Sequence, residues 1–133
     1  MEEELTLCKL AVEKSDRLFE DALILRDMKR YESSLSRLYY SVFWIITALV
    51  RINGFNASSH KALINYVNRV YVSEKNILKD TFYRSVRKLM TYREYSDYDE
   101  VMELKPSEIK EAFKLADIII KEIKQYLNSQ YNL

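Results

Sequence analysis

A chain of 133 residues with one glycine and one proline has almost nothing from which to build tight turns. Hairpin connections need positions with φ > 0 or a φ preset near −65°, and those two residues supply them most cheaply. Sandwiches, barrels and hairpin-rich folds are therefore excluded, and the 48% hydrophobic and 31% charged residues are left to helices. The same scarcity rules out the glycine-rich loops that cradle a nucleotide's phosphates. A chain this long buries roughly two thirds of its unfolded surface, so it needs no disulfide or metal staple. No repeat, low-complexity tract or linker interrupts it, and residues 1–133 read as one all-α domain.

Five helices are predicted. The first, about Glu3 to Asp27, carries Leu7, Leu10, Ala11, Leu18, Ala22 and Leu25 near the 3.6 period, broken by Lys14, with three leading glutamates at the positive end of the dipole. The second, about Arg30 to Ile52, is apolar nearly all round from Leu38, which marks a central helix, and it stops at Asn53-Gly54. Ser58 or Ser59 caps a third helix to about Tyr71. The fourth, about Asn76 to Tyr95, has Leu78, Phe82, Val86 and Leu89 on one face, and the next member of that face is Arg93. An acidic loop, Asp97 to Lys105, leads through Pro106 into a last helix, about Ser107 to Leu127, followed by a frayed tail 128–133. The longest apolar run, Leu38 to Val50, is shorter than the roughly 20 residues of a membrane span.

The net charge of +1 hides a strong asymmetry. Residues 1–28 carry eight acids against four bases, residues 29–93 twelve bases against three acids, and residues 94–133 nine acids against five bases. Two readings fit a basic centre between acidic ends. The centre attracts an anionic partner such as RNA, or acidic outer helices pair with basic inner ones. The N-terminal Met1-Glu2-Glu3-Glu4 has the wrong charge for a secretory leader, and a lone cysteine fits a reducing compartment, so a cytoplasmic, membrane-free protein is expected.

The chemical inventory is thin. One histidine and one cysteine provide no metal site, and no cofactor is expected. Cys8 reads as a buried structural thiol, and His60, after two serines and before Lys61, as a capping or loop residue or a catalytic one. Arg93 is the sharpest feature, because a guanidinium on an apolar face must be paired or reach a cleft. With Tyr92, Tyr95 and Tyr98 at spacings of three it would form a phosphate and base contact; alternatively it pairs with Asp97 or Asp99. In the second helix, Arg37, Tyr40, Trp44, Thr47 and Arg51 form a stripe opposite Leu35, Leu38, Val42, Ile45 and Leu49. The apolar side is expected in the core, and the aromatic side against a second protomer.

Arg37-Leu38-Tyr39-Tyr40-Ser41-Val42-Phe43, then Ser59-His60-Lys61, then Arg93 followed by Ser96-Asp97-Tyr98 resemble, in order and spacing, the HEPN superfamily, nearest its small stand-alone UPF0332 group. The resemblance implies a four- to five-helix up-and-down bundle that dimerises through helix faces. It also implies a minimal nucleotidyltransferase partner in a toxin–antitoxin module. Many such domains are metal-independent RNases with an Arg-x4-6-His motif in the dimer cleft. Arg93 matches that arginine, whereas Tyr98, Asp99 and Glu100 occupy the positions open to the histidine. The reading is therefore a homodimeric HEPN protein binding RNA or nucleotide. Arg93, Tyr98 and His60 stand at its centre, and Arg37, Tyr40, Lys61, Arg84, Arg87 and Lys88 contribute to ligand binding. An RNase toxin and a purely structural adaptor are the alternatives.

Overall fold

The computed structural model of the chain describes residues 1–98 and 104–133, with Tyr98 described for its backbone alone. Its long helices are α1 (Glu2–Asp27), α2 (Tyr31–Arg51), α4 (Phe82–Tyr98) and α5 (Pro106–Tyr131). A shorter α3 (His60–Val67) continues into a π-helical segment, Asn68–Glu74. The described residues contain no strand, as the near absence of glycine and proline requires, and none of their helices is long and apolar enough to cross a membrane.

Turns are made with what the sequence has. Lys29, with φ of 61°, reverses the chain between α1 and α2 in three residues, and Asn76 and Asn132 take the same left-handed conformation. Gly54, at φ 72°, closes α2: its N–H donates to the Arg51 carbonyl and the Phe55 N–H to that of Val50. That pair of bonds is the Schellman motif, in which glycine avoids the steric cost of a left-handed backbone.

α2 is the axis of the core. Leu35, Leu38, Val42, Ile45 and Leu49 are buried, as its apolar side predicts, with α1, α4 and α5 packed around them. α1 corrects its predicted stripe. Ala11 and Ala22 are buried as expected, but Leu7 and Leu10 face solvent, and Cys8 and Ser15 complete the buried face. Small side chains let the two backbones approach, and hydroxyls stitch them together. Ser15 Oγ donates to the Ser41 carbonyl, and Ser34 Oγ to that of Ala22, both at 2.7 Å. Periodicity counts apolar residues whatever their size, whereas this seam selects small ones, the polar Ser15 among them.

Three boundaries also shift. α3 and its π-helical extension pass Tyr71, whose buried side chain donates its hydroxyl to the Leu49 carbonyl and accepts from the Asn53 amide, and whose carbonyl accepts from Ile77 and Leu78. Those bonds hold the following residues in a turn, so α4 starts at Phe82 rather than Asn76 and runs on to Tyr98. α5 continues to Tyr131 instead of fraying after Leu127, because Tyr126, Tyr131 and Leu133 pack against the core. Its start is as expected, with Pro106 in the first turn and the Glu108 carboxylate accepting from the Lys105 N–H.

Candidate functional site

The site is built where α2, α3 and α4 meet. α4 carries Leu78's successors Phe82, Val86 and Leu89 into the core, and the same face brings Arg93 against α2. Its guanidinium lies over two rings of that helix, 5.0 Å from the Tyr39 centroid and 4.9 Å from Tyr40. Stacking of this kind is worth about 0.5–2 kcal/mol, rising as water is excluded, and the Arg93 side chain keeps only 26% exposure. One turn on, Asp97 forms an ion pair with Arg93 Nε at 3.3 Å. The approach is close but not aligned: among the described residues, the buried Nε makes no hydrogen bond. Arg93 is thus held in place with donor capacity in reserve.

α3 contributes the histidine. Ser59 caps the helix by accepting from the Ala62 N–H at 3.1 Å, which fixes His60 as its first residue. From there the imidazole reaches across to α2. Nδ1 lies 3.2 Å from the Tyr39 hydroxyl, and the ring packs on Phe43 at 4.1 Å between centroids. Burial, and secondarily the positive charge of Arg93, lower the His60 pKa, so the ring is neutral at pH 7. Burial raises the Tyr39 pKa, with Arg93 opposing, and the hydroxyl stays protonated. An arginine, a neutral histidine and a tyrosine hydroxyl therefore converge from three helices.

The expected residues divide among three places. Arg93, His60 and Tyr40 form the cluster, and Arg37 lines an adjoining groove with Ser36, Ser96 and Asp97. Lys61 and Arg87 line a second groove between α3 and α4, with Tyr83, Met90 and Glu94. Lys88 turns toward α5 into an ion pair with Glu111, with Arg84 nearby. The tyrosines beside Arg93 are not those of its own helix: Tyr92 is buried toward Glu111, and Tyr95 is exposed. The Tyr98 side chain, Asp99 and Glu100 lie outside the described residues.

Sequence reasoning left out Tyr39 and Phe43 as site residues, although both stand in the run Arg37 to Phe43. The available signal was their place one turn apart, where each can meet the same neighbour. Cys8 is a buried thiol, pushed up to about 11 chiefly by burial, which suits structure and not nucleophilic chemistry.

A helical bundle with an arginine, histidine and tyrosine cluster between three of its helices is the class that fold and site define. The HEPN domain family matches residues 8–126, and the chain belongs to that family. Among curated proteins, the chain is similar to the putative toxin MJ0142 of Methanocaldococcus jannaschii, 25% identical over 119 residues that cover 90% of this chain and 80% of that protein. It is similar too to a UPF0332 protein of Thermotoga maritima, 26% identical over 110 residues, 81% of each chain.

Proposed function

We propose that this protein is the HEPN component of a toxin–antitoxin-type module whose partner is a minimal nucleotidyltransferase, and that the Arg93 cluster binds RNA or nucleotide. Arg93 contacts phosphate, Tyr39 and Tyr40 hold it flat, and Arg37 extends the same face. Two copies, joined through helix faces, bring their clusters to a shared cleft in the cytoplasm. The observation that carries this reading is the guanidinium stacked on Tyr39 and Tyr40 yet 26% exposed, since a fork so placed can meet a phosphate without ordering cost. The putative-toxin name of one relative supports the module. The test is oligoribonucleotide binding at two salt concentrations. Affinity is expected to fall as salt rises, and Arg93→Ala is expected to weaken it about tenfold or more. Unchanged affinity in that variant overturns the reading, and binding indifferent to salt favours a structural adaptor.

A second reading, a metal-independent ribonuclease, is favoured by the place of His60 beside Arg93. In the tautomer whose Nδ1–H donates to Tyr39, Nε2 carries the lone pair. It would take the proton of a ribose 2′-hydroxyl as that oxygen bonds to the adjacent phosphorus. The bond from phosphorus to the 5′-oxygen breaks, and that oxygen takes a proton from solvent, leaving a 2′,3′-cyclic phosphate and a 5′-hydroxyl. Arg93 would offset the charge gathering on the phosphate. RNA cleavage in EDTA, lost in both Arg93→Ala and His60→Ala, would establish it.

A further inference from the structure

Beside the cluster lies a cavity of about 250 Å³ between the C-terminal half of α2 and the 53–59 loop. Phe43 and His60 line it, and the same two side chains belong to the Arg93 cluster, where Phe43 meets Tyr40 edge-on and His60 meets Tyr39. Phe43, Trp44 and Phe55 give the cavity aromatic walls, and Arg51, Asn56 and Ser58 give it polar groups. The walls are supported from behind. Phe55 stacks on Tyr66 at 3.8 Å, and Trp44 lies against Lys14 at 4.2 Å, with the lining Arg51 over its ring at 5.2 Å. Flat apolar walls combined with a few edge donors and acceptors are what a single unstacked nucleobase requires.

We propose that this cavity is a nucleobase subsite: a phosphate held at Arg93 places the attached nucleoside past His60 and its base between α2 and the 53–59 loop. The inference rests on the RNA or nucleotide reading above and adds to it which part of the ligand is read. A phosphate site alone gives affinity without sequence preference; a base held in the cavity adds a choice among bases. The adjacency of the two sites, with His60 and Phe43 common to both, argues for one continuous ligand and against an unrelated small molecule. The edge groups select by hydrogen bonding, because a base that leaves them unpaired loses the stabilisation it would otherwise gain.

The molecule carries its own reporter, since Trp44 is the one tryptophan and lines the cavity. Titration with the four nucleoside 3′-monophosphates is expected to change Trp44 fluorescence saturably and unequally among bases, whereas ribose 5-phosphate leaves it unchanged. A single-stranded oligoribonucleotide is expected to bind about tenfold tighter than its abasic counterpart, the worth of one base on an aromatic platform. In Ala57→Phe, which fills the cavity from the loop, that difference vanishes. Asn56→Ala, an exposed loop change without packing cost, narrows the preference among bases. Equal affinity for abasic and complete oligomers in the parent protein, together with loss of both on Arg93→Ala, overturns the base subsite and leaves the phosphate reading intact. If neither RNA nor nucleotide binds at all, both fall.

Discussion

The α1–α2 seam and the α2–α3–α4 junction share one helix and solve opposite problems. Along the seam, Ser15 meets Ser41 and Ala22 meets Ser34, and every buried hydroxyl donates to a carbonyl of its own hairpin. Nothing there is left for a ligand. At the junction the side chains are large, aromatic or charged, and Arg93 Nε is buried without a hydrogen bond among the described residues. Close packing of small groups gives stability without chemistry, whereas stacked rings around a guanidinium give a site that is rigid and still reactive.

Changes on the two sides of α2 are therefore expected to separate folding from binding. The largest effect on stability should come from overfilling the seam: Ala22→Leu is expected to cost about 1–3 kcal/mol, read as a lower urea midpoint, because the helices cannot close around the added carbons. RNA affinity of the folded fraction should be unchanged. Arg93→Ala reverses the pattern, with about tenfold or greater loss of affinity and a smaller change in midpoint; equal losses on both measures would erase the distinction between the regions.

Tyr39→Phe sharpens the comparison further. It keeps the ring under Arg93 and removes the hydroxyl facing His60 Nδ1, so stability should fall by about 1 kcal/mol while the His60 titration, followed by NMR, shifts. The pH dependence follows from His60. Its folded pKa lies below 6.5, so just under that pH the unfolded chain binds the proton first. Stability contributed by the neutral ring is present above pH 6.5 and declines as pH falls through that value toward the folded pKa. His60→Gln should flatten that part of a plot of melting temperature against pH, and an identical slope in the variant would exclude His60 as the source. The smallest effect belongs to Lys88→Ala, which removes an exposed pair with Glu111 on the far side of α4. No change in midpoint or RNA affinity is expected.

Much of this was legible in the chain. The scarcity of glycine and proline dictated helices, the apolar side of α2 marked the axis, and the step from Leu89 to Arg93 placed a guanidinium on a buried face. The partners of that guanidinium were not legible. Tyr92 and Tyr95 lie close to it in sequence, but α4 turns them toward α5 and solvent, and the crossing of α2 supplies Tyr39 and Tyr40 in their place. His60 stands 33 positions before Arg93, and only the cap at Ser59 and the reach across α2 bring its ring beside Tyr39. On α1 the stripe held Ala11 and Ala22, which are buried, but it missed Ser15 and included the exposed Leu7 and Leu10, since periodicity weighs how apolar a residue is and a close seam weighs how small.

By itself, the sequence determined the fold class, the central helix, the glycine stop at its end and the arginine placed on a buried face. Those properties depend on local conformation and on the period of a single helix. The tertiary structure alone decided which rings support Arg93, that His60 joins it, that Lys88 is occupied elsewhere, and that a cavity opens beside them. Those depend on where helices cross, which is set by side-chain shape over the whole core and by no single segment.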